Sequence, residues 1–498
     1  MSLDLRGGLL VAGTTSDAGK TVLTTGICRW LRRQGVQVAP FKAQNMSNNS
    51  MVAADGAEIG RAQWVQAVAA GAVPEAAMNP VLLKPGSDLR SHVVLMGKPF
   101  GELDASSFAG ARTELAEAAF AAYDDLASRY DVVVCEGAGS PTEINLREHD
   151  FVNMGLAQHG QVPTIVVGDI DRGGVFAAMY GTLKLMPDAD QRLLRGFVVN
   201  KFRGDRALLE PGLRMIEQAT DRPVLGVVPW TPGLWLDSED SVDVEGRRAG
   251  AGTVGEALQV AVVRFPRISN FTDVDALALE PGAVVTFVDS PEPLLDADLV
   301  VLPGTRSTLD DLAWLRERGL EGPLVQRHRG GQPVLGLCGG FQMLGERVSD
   351  PQGVESGRPA AAPGLGLLPA RTTFVAEKVV GRPRGVALAC EVEGYEIHHG
   401  RVEVGGGSRF LDGCRNGSTL GTLWHGTFEN DDFRRAFLAE VAAESGRAGW
   451  SAEPGLVFAS RREERIDALA DAVEEHLDTD ALLDIIASGG PGAAQPST

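Results

Sequence analysis

Short runs of Val, Ile and Leu, each followed by a stretch of helix length, recur from Leu9 onward, and this rhythm sets the strongest constraint on how the chain folds. "GLLVAG" precedes "KTVLTTGICRWLRRQG", and then come "VQVAPFK", "DVVVCEGAG", "VPTIVVGDI", "LRGFVVNKF" and "PVLGVVPW". Strands that read as unbroken apolar runs are buried on both faces, and helices spaced between them make the sheet parallel. The rhythm lapses over residues 236–258, which turn acidic and glycine-rich, and restarts with "LQVAVVRF", "GAVVTFVDS", "ADLVVLPGT" and "QPVLGLCGG". The expectation is an α/β protein of two parallel-sheet domains, residues 1–235 and 259–488, joined by a linker over 236–258. "REERIDALADAVEEHLD" has helical spacing and is expected to close the second unit. Residues 489–498, "GGPGAAQPST", read as a disordered tail.

A chain of 498 residues, 44% hydrophobic and 22% charged, has room for two such domains. No apolar stretch reaches the roughly 18 residues a membrane helix needs. The start, MSLDLRGG, shows no basic segment leading into a long apolar one, so no secretory signal is visible. Cysteines at 28, 135, 338, 390 and 414 have no paired spacing, which suggests neither a disulfide framework nor a zinc ribbon. These features read as cytoplasmic, with no membrane partner. A formal net charge of −20 argues against nucleic acid, because phosphate contacts need clustered Lys and Arg. Oligomeric state stays undetermined.

Residues 13–21, GTTSDAGKT, join the first strand to the first helix. The spacing is G-x5-G-K-T, one residue longer than the usual phosphate loop. Backbone N–H groups between Gly13 and Gly19, with Asp17 among them, would point at phosphate oxygens, and the helix N-terminus favours anions. Lys20 would reach the β- and γ-phosphates of ATP, and the Thr21 hydroxyl would ligate Mg²⁺. An ordinary glycine turn is the alternative; G-K-T directly after a strand favours the phosphate loop. Mg²⁺ also takes carboxylates. Glu136 follows "DVVVC" at a strand's C-terminal end, where open α/β sheets place their ligands. Asp55, Glu58, Asp169 and Asp171 are further candidates.

A second site centres on "VLGLCGGFQML", residues 334–344. Glycines at 336, 339 and 340 allow a sharp strand-to-helix turn that would hold Cys338 out into solvent. That is nucleophile-elbow logic written with sulfur. Its base is sought among His398, His399 and His425.

The loop GTTSDAGKT, Lys42 ending the second strand, Glu58 before Gln63, and "VVVCEGAG" resemble the dethiobiotin synthetase-like nucleotide-binding family. That resemblance implies a P-loop NTPase-like domain in which ATP activates a carboxylate, with Thr21, Glu58 and Glu136 on Mg²⁺ and Asn200 at the adenine edge. G-L-C-G-G-F-Q (336–342) resembles the elbow of class I, triad-type glutamine amidotransferases, implying a flavodoxin-like domain. There Cys338 attacks glutamine, His425 is the base, and Gly339 with Gly304 or Thr305 forms the oxyanion hole. The family's usual acid, two residues after the histidine, is replaced by Thr427; Glu429 and Glu396 remain candidates.

Along nearly the full length, "FKAQNMSNNSMV", "EIGRAQWVQA", "DIDRGGVFA", "PGTRSTLDDL" and "GYEIHHGR" resemble the cobyric acid synthases. That resemblance implies glutamine- and ATP-dependent amidation of four peripheral carboxylates (b, d, e and g) on a cobalt corrinoid, adenosylcobyrinic acid a,c-diamide. The cobyrinic acid a,c-diamide synthases share both domain types; "QNMSNNS" favours the former. A P-loop ATPase switch with a regulatory domain would explain the first half but not the cysteine elbow.

Overall fold

The computed structural model describes residues 3–87, 90–231, 257–447 and 449–489. Residues 236–256 of the expected linker and 490–498 of the expected tail lie outside them. The first sheet has six parallel strands, in the order Val224–Pro229, Leu194–Phe202, Thr164–Asp169, Gly7–Gly13, Val132–Glu136 and Val38–Phe41. Leu10, Ala12, Val133 and Cys135 face one core, while Leu9, Val11, Val132 and Val134 face another. Both sets are buried, which is why these strands show no polar alternation. Gly13 pairs with Val167 and Val11 with Glu136, so the 13–21 loop leaves the middle of the sheet beside Glu136.

The second sheet has seven strands, in the order Ala283–Val288, Leu258–Val263, Leu299–Leu302, Val334–Leu337, Thr419–Thr422, Gly413–Asn416 and Ser408–Phe410. The first five are parallel; the last two turn antiparallel and form an edge. Each unit also carries a smaller four-stranded sheet, Gln44–Met46 with strands through Asp104 in the first and Arg347–Asp350 with strands through Val404 in the second. Short segments beside these side sheets make contacts between the units. Ser50 N–H donates to Asn270 Oδ1 (3.0 Å), Phe271 N–H to Asn49 Oδ1 (3.2 Å), and Arg61 pairs with Glu429 (2.6 Å). Met51 and Val52 pack there with Tyr395 and Ile397.

One expectation is corrected by the helices near the C-terminus. Phe458–His476 and Thr479–Ala487 do not close the second unit; they return to the first. Ile466, Ala470, Val473, Leu482, Ile485 and Ile486 bury in the same core as Leu9, Val11, Ile27 and Leu31. Gly26, on the helix Lys20–Arg33, lets Phe458–His476 approach closely, since a Cβ there would lie 2.7 Å from the Leu469 carbonyl oxygen. Arg33 pairs with Asp467 (2.9 Å) and Asp471 (2.5 Å), and Asp478 N–H donates to the Leu225 carbonyl (2.7 Å). Helical periodicity locates an apolar stripe but not the sheet it covers.

Candidate active site

The phosphate loop needs unusual backbone. Asp17 (φ 57°) and Gly19 (φ 101°) are left-handed, and a Cβ on Gly19 would fall 2.0 Å from Asn200 Nδ2. Asn200, at the end of a neighbouring strand, donates to the Ala18 carbonyl (2.9 Å). Lys201 donates to the Asp17 carbonyl (2.7 Å) and to Asp169 (2.9 Å). Lys20 opens the helix and turns its Nζ back across the loop to the carbonyls of Thr15 (3.0 Å) and Gly139 (3.2 Å). Thr21 Oγ1 donates to Glu136 Oε1 at 2.9 Å, Lys42 Nζ reaches the same oxygen at 3.0 Å, and Gln66 Nε2 reaches Oε2 at 2.5 Å. Burial pushes the Glu136 carboxyl up, but the Lys42 ammonium and these hydrogen bonds outweigh it and hold the group below the usual carboxylate range.

Of the carboxylates considered for Mg²⁺, Glu136 is the one that touches Thr21. A hydroxyl and a carboxylate side by side fit an ion that takes its remaining ligands from phosphate and water. Among the described residues no three His, Cys, Asp or Glu side chains cluster as a metal cage. Glu58 is drawn elsewhere, contrary to the expected metal role: it is fully buried between Lys84 (2.7 Å) and Lys378, with Ser50 Oγ at 2.9 Å. Its strand, Glu58–Gly60, pairs with Ser50–Val52, where Ser50 meets Asn270 of the second unit. Asp55 accepts from the backbone of Ala57 and Ala76, and Asp171 faces Arg203 at 3.3 Å.

Cys338 sits at the elbow with φ 49° and ψ −108°, directly before the helix Gly339–Leu344. Such a conformation costs on the order of 1–3 kcal/mol and persists only where packing enforces it. The glycines supply that packing. A Cβ on Gly340 would lie 1.9 Å from the Leu302 carbonyl oxygen, and one on Gly336 2.6 Å from Leu344. Cys338 is nevertheless only 7% exposed, so the sulfur does not stand out in solvent as expected. It lies at the floor of a cleft walled by Asn270, Thr305, Gln342, Phe374 and His425. Apart from Gln342 on the elbow's own helix, that wall comes from segments distant in sequence.

His425 is buried, and its Nδ1 is 2.6 Å from Asp273 Oδ2; the other carboxylate oxygen accepts Gly426 N–H at 2.8 Å. The ring stacks on Tyr395, centroids 5.3 Å apart. Burial pushes the imidazole pKa down, but the Asp273 carboxylate, then the charge and hydrogen bond of Cys338, raise it to about 10. A thiol, an imidazole and a carboxylate therefore stand in line, which is the arrangement of an activated nucleophile. Asp273 was missed from sequence. It lies 152 positions before the histidine, in a stretch with no local motif. Glu429 pairs instead with Arg61 and Arg462 (2.9 Å), and Glu396 with His398 (3.4 Å). Gly304 and Thr305 pair with Ser269 and Ile268 beside the elbow, and a Cβ on Gly339 would lie 3.0 Å from the Thr305 nitrogen.

A phosphate loop and a cysteine elbow with its base and acid, carried on one chain, define a glutamine-dependent amide ligase that uses ATP. Residues 9–242 match the family described as "CobQ/CobB/MinD/ParA nucleotide binding domain", and 259–433 match "CobB/CobQ-like glutamine amidotransferase domain". The chain is 61% identical over 480 residues to a cobyric acid synthase of Mycolicibacterium vanbaalenii, covering 96% of each chain. It is 60% identical to those of Mycobacterium ulcerans (487 residues) and Mycobacterium tuberculosis (491 residues), covering 97% of each. The chain belongs to the cobyric acid synthase family.

Proposed function

We propose that the chain amidates four peripheral carboxylates (b, d, e and g) of adenosylcobyrinic acid a,c-diamide, drawing nitrogen from glutamine and activating each carboxylate with ATP. The observation that carries this reading is the reach of the Cys338 cleft: its lining includes Lys84 of the nucleotide-binding unit, so the glutaminase cleft borders the unit that carries the phosphate loop. In the first, Cys338 Sγ attacks the glutamine side-chain carbon. His425 takes the thiol proton and passes it to the departing nitrogen, and Asp273 keeps the imidazole oriented. Ammonia leaves, water cleaves the thioester, and glutamate is released. Gly339, with Gly304 or Thr305, stabilises the oxyanion.

In the second chemistry the loop from Gly13 to Gly19, with Asp17, cradles ATP, Lys20 binds its β- and γ-phosphates, and Asn200 meets the adenine. Thr21 and Glu136 would hold Mg²⁺, which would neutralise phosphate charge. Lys42, beside Glu136, steadies the transferring phosphoryl group. ATP and glutamine as substrates are consistent with a cytoplasmic enzyme.

The test is incubation with the a,c-diamide, ATP, Mg²⁺ and glutamine, followed by mass spectrometry. The expected result is successive amide products ending in the fully amidated corrinoid, with glutamate and phosphate formed in step. Glutamate release without any change in corrinoid mass would overturn the substrate assignment.

A further inference from the structure

The nucleotide-binding unit reaches the cleft above Cys338 through one side chain, Lys84. Lys84, on the strand Val81–Ser87, and Lys378, on Ala370–Gly381, both line it. Between them stands Glu58, with no exposed surface. Lys84 Nζ and Ser50 Oγ reach its Oε1 at 2.7 and 2.9 Å, and Lys378 Nζ takes Oε2. Burying three charges is costly, and such a cluster gains little stability over apolar packing of the same volume. Its position suggests what it does instead.

Glu58 opens a strand that runs directly into the helix Arg61–Ala70. Gln63 and Gln66, three residues apart, share one face of that helix. Gln66 Nε2 ends at Glu136 beside the phosphate loop (2.5 Å), and Gln63 Oε1 accepts from Asn45 Nδ2 (2.8 Å). Both glutamines have no exposed surface, yet Gln63 Nε2 and Gln66 Oε1 have no partner. Buried polar atoms are paired in the great majority of cases, by protein or by ordered water. A donor and an acceptor left open between the Cys338 cleft and Glu136 suit a small polar molecule in transit.

We propose that Lys84, Glu58 and Lys378 form the gate through which ammonia leaves the glutaminase cleft, and that Gln63 and Gln66 line its way to the carboxylate-activating site. This rests on reading the two sites as one amidotransferase. Two ammonium groups against one carboxylate leave a net positive charge, which repels NH4⁺ and admits neutral NH3, the nucleophilic form. Gln63 Nε2 donates to the ammonia lone pair, and Gln66 Oε1 accepts one of its N–H bonds. These residues meet ammonia in transit and take no part in breaking or forming its bonds; they are positioning residues.

The test uses the full chain with corrinoid, ATP, Mg²⁺ and glutamine labelled with ¹⁵N at the amide, in a bulk of unlabelled ammonium. Wild type should form one glutamate per amide and place ¹⁵N in the product. Lys378→Met and Gln63→Leu should retain glutamate release and ammonia-supported amidation. Glutamate per amide should nevertheless rise roughly tenfold, a partition change of about 1.4 kcal/mol, with unlabelled nitrogen entering the product. Lys378→Arg, which keeps the ion pair, should restore coupling. An unchanged glutamate-to-amide ratio in both variants overturns the gate. So does loss of ammonia-supported amidation in both, which would assign these side chains to the fold or to the synthetase site. A wild type lacking glutaminase activity would sink the functional reading instead, so the two failures are separable.

Discussion

Asp273→Asn is the most demanding test of the glutaminase geometry. The carboxylate uses both oxygens, Oδ2 toward His425 Nδ1 at 2.6 Å and Oδ1 from Gly426 N–H at 2.8 Å. Asparagine can keep the Gly426 bond with its remaining oxygen, so the loop stays in place. Its amide nitrogen then faces Nδ1 and donates where the carboxylate accepted. The imidazole proton moves to Nε2, the nitrogen that should take the proton from Cys338, and the base is lost as a tautomer and not as a ring. Positioned proton transfer contributes roughly 10²–10⁴-fold to a rate, or about 2.7–5.5 kcal/mol of barrier. Glutamine-dependent glutamate release should fall by that factor while ammonia-supported amidation holds. Glutaminase activity within a few-fold of wild type would refute the role of Asp273. Stability carries the same signature. The folded pKa of His425 is raised from 6.5 to about 10, so its contribution is full below pH 6.5, declines across that window and is lost above it. Denaturant unfolding of the variant should show a flatter fall over that range.

Three further outcomes follow from the two sites. Cys338→Ser should abolish glutamine-dependent amidation and leave the ammonia-dependent reaction near normal, measured by corrinoid mass with each nitrogen source. Lys20→Ala should lose amidation from both nitrogen sources yet keep glutamate release, because the contact to the transferring phosphoryl group is gone; unchanged ATP turnover would remove the phosphate-loop assignment. Glu136→Gln should raise the Mg²⁺ concentration needed for half-maximal activity, whereas Glu58→Gln should not, since Glu58 is engaged by Lys84 and Lys378; the opposite pattern would restore Glu58 as the metal ligand.

What sequence reveals here divides along distance in the chain. Gly13 through Thr21 and the turn around Cys338 are legible because their chemistry is local: each glycine, Lys20 and Thr21 acts within one strand-to-helix turn. The alternation of apolar runs with helices is legible for the same reason. Asp273 is not, since its role comes from a fold that brings it 152 positions along the chain to His425. Glu58 is given a metal role by family resemblance, while its short strand carries it to the interface and to Lys378, 320 positions away. The burial of Cys338 was missed because its cleft is walled by Asn270 and Phe374, from segments before and after the elbow.

The return of Phe458–His476 and Thr479–Ala487 to the first sheet has a consequence for the newborn chain. The core containing Leu9, Val11 and Ile27 is completed by Ile466, Val473 and Ile486, which leave the ribosome about 240 residues after the sheet's last strand, Val224–Pro229. At roughly 5–20 residues per second, that apolar face waits on the order of 12–50 s, while the whole glutaminase unit is made and folds beside it. The segment made last thus finishes the domain begun first. Expressing the two units as separate polypeptides would require moving these helices onto the first, and chaperone demand during synthesis should peak in that interval.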